Sequence, residues 1–153
     1  MLSKKTLTGG CLCGTVRYEI AHTPKAVCTC HCTDCQRLTG SAFSMAILVP
    51  AETFRLDGPE LKPRLSAADS GRAKTHWLCP DCSTWIFGGP PLGSAPPGAI
   101  RLVRAGTLDD TSWLRPTVHF WTRSAQPWVT VPEGDPAFET QPADLMHWLV
   151  RNS

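Results

Sequence analysis

Eight cysteines in three short clusters constrain this chain more than any other feature of its sequence. Chain size does not explain their number, because 153 residues can bury enough apolar surface to fold without disulfides. The clusters are a C-x-C at Cys11 and Cys13, a group at Cys28, Cys30, Cys32 and Cys35, and a C-x-x-C at Cys79 and Cys82. Their close spacing is typical of metal ligands or reactive thiols.

The compartment decides between metal binding and disulfides. Lys4 and Lys5 are followed by no apolar stretch, so the sequence predicts no secretory signal peptide. Pro, Arg, Asp or Gly interrupts every hydrophobic run, so we also expect no membrane span and no membrane partner. We therefore expect one domain, residues 1–153, in a reducing cytoplasm, where disulfides are the less favoured alternative.

The charge balance bears on possible partners. The chain has 15 Lys and Arg against 13 Asp and Glu, with a formal net charge of +2 and no run of basic residues. Proteins that bind nucleic acid usually carry a basic patch or stripe. We therefore expect no nucleic-acid partner.

The C-x-x-C pair indicates zinc. Such a turn presents two sulfurs on one edge of a tight loop and supplies half of a tetrahedral thiolate shell. Trp77 and Leu78 precede the pair and residues 85–87 follow it, which predicts a strand, a knuckle and a second strand. A redox C-x-x-C more often belongs to a βαβ unit, so a redox function is the weaker alternative.

The spacing of the clusters predicts two zinc ions per chain. Three neighbouring cysteines, Cys30, Cys32 and Cys35, can reach one ion without help from the rest of the chain. The two remaining pairs are incomplete alone, and together they give a closed shell of the structural type: Cys11, Cys13, Cys79 and Cys82. Three protein ligands are typical of catalytic zinc, whose fourth position belongs to water or substrate.

Two residues could instead close the second site. Cys28 lies two residues before Cys30, so in an extended segment both side chains face the same way. His31 would point to the opposite face, where a packed or solvated imidazole is expected. An open site is favoured over a site filled by Cys28, and the spacing leaves both alternatives standing.

The hydrophobic pattern predicts a mainly β fold with one or two short helices. The 14 prolines and 12 glycines break the chain into short segments. Strands are predicted at residues 16–20, 43–49, 54–58, 61–65, 100–105 and 118–121, with 54–58 and 61–65 as edge strands around a Gly-Pro turn. One helix should begin after Cys32 with Thr33 or Asp34 as its N-cap, and the other should cover residues 143–150.

Five segments of the chain, three of which contain cysteines, resemble the glutathione-dependent formaldehyde-activating enzyme family, also called the centromere-protein-V-like domain. They are GGCLCGTVRY at 9–18, CHCTDCQRLTGSAF at 30–43, CPDC at 79–82, AGTLDD at 105–110 and LRPTVHFW at 114–121. The resemblance runs over about residues 7–131. The spacings and flanks are highly specific for the family and less specific for the reaction, and the extra Cys28 is a departure that bears on the second site.

The resemblance implies a β-tent of antiparallel sheets with zinc knuckles. It implies a structural zinc on Cys11, Cys13, Cys79 and Cys82, and a second zinc, with a catalytic role, on Cys30, Cys32 and Cys35. The implied activity is that of a carbon–sulfur lyase, which forms or cleaves the adduct of a thiol such as glutathione with formaldehyde or another small aldehyde. The alternative is a non-catalytic zinc scaffold or interaction module with both metal sites closed.

Chemistry favours a thiol-holding role for the second ion. Three thiolates overcompensate Zn²⁺ by one charge, so the metal would activate water weakly, whereas an incoming thiol could still bind as a thiolate. Arg37 could bind a carboxylate of a tripeptide thiol, although an exposed helix charge is the simpler interpretation. Trp121 and Trp128 could form an aromatic wall, and His119 is expected to be a packed histidine.

Overall fold

The computed structural model describes residues 6–68, 71–145, 148 and 151. In chain order the strands are β1 (Leu7–Gly10), β2 (Arg17–Ile20), β3 (Ala26–Cys30), β4 (Ser44–Pro50), β5 (Phe54–Asp57), β6 (Lys62–Ala67), β7 (Ala73–Leu78), β8 (Trp85–Gly88), β9 (Ile100–Arg104), β10 (Val118–Phe120) and β11 (Ala137–Phe138). The helix α1 covers Thr33–Thr39, and short 3₁₀ turns cover Ala51–Thr53, Ala105–Thr107 and Thr122–Ser124. The prediction of a mainly β fold is confirmed.

The strands form two sheets, one of three strands in the order β1-β2-β5 and one of eight in the order β11-β10-β3-β4-β9-β8-β7-β6. The prediction of antiparallel sheets holds for most neighbouring pairs. It does not hold for β10, which lies parallel to both β3 and β11. The reason is that β10 follows a long connection after β9, which brings it beside β3 in the same direction.

The predicted strands around the Gly-Pro turn are both edge strands, but they belong to different sheets. Strand β5 pairs with β2 at the edge of the small sheet, and β6 pairs with β7 at the edge of the large one. Gly58, with a φ of 124°, lies at the crossing, where a Cβ would come within 2.5 Å of the Thr15 carbonyl oxygen. Only glycine fits this conformation and this close approach without strain.

The predicted helix at residues 143–150 lies partly outside the described residues. Leu145 and Trp148 are described, and both have helical conformation. The Trp148 ring packs edge-on against Phe138 with 5.5 Å between ring centroids. No helix of the described ranges is long and apolar enough to cross a membrane.

The main core lies between the two sheets. Tyr18 and Phe54 stack with ring centroids 5.1 Å apart, and Phe54 meets Phe87 at the same distance. Along β4, Ile47 belongs to this core, whereas its neighbour Leu48 belongs to a second apolar cluster on the other face of the large sheet. Both faces of β4 are therefore buried, and the second face supports the cleft described below.

Candidate metal centres

The four-cysteine group joins two loops that are far apart in sequence. Cys11 and Cys13 follow β1, whereas Cys79 and Cys82 follow β7. The Sγ atoms of all four lie within 4.8 Å of one another. The distance from Cys13 Sγ is 3.4 Å to Cys11 Sγ and 3.8 Å to Cys79 Sγ. A tetrahedral shell with Zn–S bonds of about 2.3 Å has sulfurs about 3.8 Å apart, so this donor set fits zinc.

Backbone hydrogen bonds shape both loops. The Cys11 N–H donates to the Val16 carbonyl at 3.0 Å, and the Val16 N–H donates to Cys11 Sγ at 3.2 Å. In the second loop the Cys79 N–H donates to the Thr84 carbonyl, and the Ser83 N–H returns to the Cys79 carbonyl. Ser83 has a φ of 59°, which turns the chain back sharply after the second cysteine. Each loop therefore holds its sulfurs in place by its own backbone.

Thr84 links the two loops, and sequence reasoning did not identify it. Its Oγ1 accepts the Leu12 N–H at 3.1 Å and lies 3.1 Å from Cys82 Sγ. This side-chain contact, together with backbone hydrogen bonds, lowers the pKa of Cys82 to about 5. A threonine two residues after a cysteine has no distinctive pattern, so the sequence carried no signal for this role.

Burial has the opposite effect on the pKa of Cys79, another cysteine of this group. It raises the pKa of Cys79 to about 11, so this thiol would keep its proton at neutral pH without a cation nearby. A divalent metal ion deprotonates a coordinating thiol outright. The chemistry of the buried donor set therefore also fits zinc.

The three-cysteine group lies at the junction of β3 and α1. Cys30 ends β3, Cys32 precedes the helix, and Cys35 lies in its first turn. Their Sγ atoms lie within 4.8 Å of one another, and all three residues are half-buried. The structure thus brings together the residues that spacing predicted.

The N-cap of α1 is Cys32, so the prediction of Thr33 or Asp34 was wrong. Cys32 has an extended backbone, with φ −65° and ψ 152°, and its Sγ accepts the Cys35 N–H at 3.3 Å. A sulfur acceptor therefore takes the position that a hydroxyl or carboxylate usually takes. At the other end, Gly40 caps the helix in the left-handed conformation, with a φ of 63°.

Hydrogen bonds within this group favour a thiolate at Cys32. The Cys30 and Cys35 thiols lower the pKa of Cys32 to about 2, and the Cys35 backbone N–H acts in the same direction. The same contacts raise the pKa of Cys30. The group therefore holds one thiolate stably, and a cation bound to all three sulfurs would draw the protons from the others.

Cys28 and His31 both lie outside the three-sulfur group. Cys28 is buried within the sheet, paired with Ala46, and burial raises the pKa of its thiol to about 11. The buried His31 ring lies with Nε2 3.2 Å from Thr29 Oγ1 and stacks on His119 at 5.9 Å. This geometry favours the hypothesis that the second site keeps a free position.

Replacing Cys28 with alanine tests this hypothesis. We expect zinc content to stay at the wild-type level, because the thiol belongs to the sheet and not to the donor group. Loss of one buried sulfur should cost about 1 kcal/mol and lower Tm by about 2–4 °C. Elemental analysis and thermal unfolding check both values. Loss of one zinc ion per chain would show that Cys28 is a ligand.

A second set of hydrogen bonds braces the cysteine loop from behind. Gln36 Nε2 donates to the His31 carbonyl at 2.8 Å and to the Ser124 carbonyl at 2.9 Å. Ser124 Oγ donates to the same His31 carbonyl at 3.1 Å. Gln36 therefore supports the loop, and Ser124, a residue that sequence reasoning missed, does so from far along the chain.

The three-cysteine group opens into a cleft of about 960 Å³ on the outer face of the large sheet. Among the described residues, the cationic side chains that line it are Arg37, Arg64, Arg72, Lys74 and Arg104. The carboxylates that line it are Asp34 and Asp144. The cleft therefore has an excess of positive charge, which favours an anionic ligand.

The other candidate residues differ in whether they line the cleft. Arg37 is exposed at the edge of the cleft, and Trp121 also lines it. Trp128 is 70% exposed and is not among the cleft residues, so no wall of two tryptophans forms there. His119 is buried, with Nδ1 2.7 Å from Thr29 Oγ1, as expected of a packed histidine.

Comparison with known proteins identifies the family. A family model described as "Glutathione-dependent formaldehyde-activating enzyme" matches residues 6–124. The chain belongs to this family. The glutathione-dependent formaldehyde-activating enzyme match includes every cysteine of both groups and ends at residue 124, short of the predicted limit near 131.

Other comparisons add less. No curated protein matches the chain significantly. Among solved structures, it is similar to a crystal structure of a Rhodobacter sphaeroides protein from a structural genomics programme, with 16% identity and a TM-score of 0.49. That match covers 86% of this chain and 98% of the other.

Proposed function

We propose that this member of the family is a zinc-dependent carbon–sulfur lyase that forms or cleaves the adduct of glutathione, or a similar thiol, with formaldehyde or another small aldehyde. The observation that carries the proposal is the group of Cys30, Cys32 and Cys35, which contains no fourth cysteine or histidine among the described residues and faces a cleft of about 960 Å³. A free position beside a cleft is the arrangement of a catalytic metal site.

The chain's residues have separate roles in this proposal. The three cysteines hold the metal, and Cys32 and α1 fix its place at the end of β3. Zinc bound there would supply a position at which an incoming thiol loses its proton near neutral pH. Gln36 and Ser124 hold the loop rigid from behind.

The reaction itself is balanced without a further reagent. In the synthetic direction, a carbon–sulfur bond forms between the thiol and the aldehyde carbon, and the carbonyl π bond breaks. The proton released from the thiol ends on the former carbonyl oxygen. The product is a hydroxyalkyl thioether, and the reverse reaction is the lyase direction.

The four-cysteine group has a structural role in the proposal. Cys11, Cys13, Cys79 and Cys82 would hold a second zinc ion that ties the β1–β2 loop to the β7–β8 loop. We also propose that the two sheets are the family's β-tent. All eight cysteines are free thiols in the structure, and a reducing cytoplasm would keep them so.

Zinc K-edge spectroscopy with and without glutathione tests the proposed function. One closed and one three-sulfur site average to about 3.5 sulfurs per zinc, and glutathione should raise the average to about 4. S-Methylglutathione, which has no thiol to deprotonate, is the matched control and should leave the spectrum unchanged. Four sulfurs at both sites before glutathione is added would support the non-catalytic scaffold and overturn the proposal that the protein is an enzyme.

A further inference from the structure

Arg104 is a buried cation in the floor of the cleft. It is the last residue of β9, is 8% exposed, and its guanidinium lies 4.0 Å from the centroid of the Trp85 ring. Its Nη2 donates to the Leu102 carbonyl at 3.1 Å. Its buried Nε has no hydrogen-bond partner among the described residues. Burying a guanidinium with unused donors is costly unless an anion pairs with it.

The strand register places Arg104 beside the thiols. Cys28, Ala46 and Arg104 form one row across β3, β4 and β9. Residues paired directly across a sheet face the same side, and neighbouring strands are about 4.8 Å apart. Arg104 therefore lies about two strand spacings from Cys28, with only the small Ala46 side chain between them, and shares its face with Cys30.

Electrostatics agree with this placement. Burial lowers the pKa of Arg104, whereas the nearby Cys28, Cys35 and Cys30 thiols act to raise it. The other arginines of the cleft, Arg37, Arg64 and Arg72, are exposed, and Lys74 Nζ already pairs with Asp34 at 3.3 Å. Exposed cations are screened by water and salt, so Arg104 is the cleft cation whose charge is felt most strongly.

We propose that Arg104 determines the substrate specificity of the cleft by binding a carboxylate of the thiol substrate, while the substrate sulfur reaches the group of Cys30, Cys32 and Cys35. This inference rests on the proposed function for its substrate class. The planar fork of a guanidinium matches a carboxylate in a bidentate arrangement. Trp85 holds the fork in place by stacking.

Calorimetric binding to the zinc-loaded protein tests the proposal with S-methylglutathione and its dimethyl ester. These probes keep the peptide but carry no thiol, so their binding does not depend on whether a thiolate reaches the metal. In the wild type, we expect the acid to bind about 10- to 100-fold more tightly than the ester, as charge-assisted hydrogen bonds imply. Equal affinities would overturn the role of the carboxylate.

Variants of Arg104 test whether this residue causes the preference for the acid. Arg104→Met should weaken binding of the acid by about 10- to 100-fold and leave the ester within about twofold, because only the acid offers a charge to the fork. Arg104→Lys keeps the charge without the fork, so its affinity for the acid should lie between those of the wild type and Arg104→Met. Arg55→Met is the matched control, since it removes one exposed charge on β5, outside the cleft, and should change neither affinity.

The outcomes separate this inference from the proposed function. If glutathione adds no sulfur to zinc but Arg104→Met still weakens the acid selectively, the enzyme proposal fails and the carboxylate site stands. If Arg104→Met leaves the acid unchanged, or weakens acid and ester equally, the carboxylate site fails whatever the spectroscopy shows. If Arg104→Met loses its zinc or its fold, the carboxylate site is tested instead by comparing acid and ester binding in the wild type and in Arg104→Lys.

Discussion

Cys82→Ala is expected to destabilise the whole protein and to remove one of the two zinc ions proposed above. Structural zinc contributes an apparent binding free energy of about 10–16 kcal/mol in zinc-finger peptides, and even a third of that rivals the roughly 5–15 kcal/mol stability of a typical domain. The lost sulfur also releases the β7–β8 loop from the β1–β2 loop. We expect Tm to fall by at least about 10 °C in thermal unfolding.

Cys28→Ala is the matched control for this variant, since it also removes one thiol. Cys82 is half-buried and Cys28 is buried, so packing alone would make Cys28→Ala the more damaging change. We expect the reverse order because only Cys82 belongs to a donor group. A chelator should lower the Tm of the wild type toward that of Cys82→Ala. Equal, small shifts for both variants would show that the four-cysteine group carries no structural metal.

The donor groups could be predicted because their geometry is local. Within each donor cluster, one or two residues lie between successive cysteines, and a turn of that length fixes how their sulfurs face each other. The pairing of the two half-sites followed by elimination, since Cys11/Cys13 and Cys79/Cys82 are each incomplete. The N-cap was mispredicted because propensity favours hydroxyl and carboxylate side chains, whereas the local turn places the Cys32 sulfur at the Cys35 N–H.

Contacts made by unremarkable residues could not be predicted in this way. Thr84, Ser124 and Arg104 act through partners that the fold brings together from distant segments. An arginine in a predicted strand is usually solvated at its charged end, and its burial depends on which neighbour offers a ring or an anion. The parallel pairing of β10 was missed for the same reason, since strand direction depends on a long connection.

The two faces of the large sheet have different roles. The main core lies between the sheets and holds them together, with Cys11 and Cys79 at its edge. The cleft lies on the other face of the large sheet, where Cys28, Ala46 and Leu48 form part of its floor. A change at the three-cysteine group should therefore affect chemistry without opening the core.

Cys32→Ala should accordingly remain folded while losing one zinc ion and catalysis of thiol-adduct formation. Loss of the N-cap should cost about 1 kcal/mol, or about 2–4 °C in Tm, and loss of the bound zinc adds to that cost, since a ligand that binds the folded state stabilises it. Loss of a metal ligand should lower the catalysed rate at least about a hundredfold, because ligand and orientation are both removed. Magnetisation exchange between formaldehyde and its glutathione adduct, measured by NMR against the uncatalysed rate, reports turnover directly.

Cys32→Ser separates the two roles of this side chain. A serine hydroxyl can still accept the Cys35 N–H, so we expect this variant to regain the N-cap part of the stability lost in Cys32→Ala, about 1 kcal/mol. A neutral hydroxyl is a poor substitute for a thiolate on zinc, so zinc content and turnover should stay low. Wild-type turnover in either variant would sink the catalytic role of the three-cysteine group, because a site that works without Cys32 cannot depend on a three-thiolate metal.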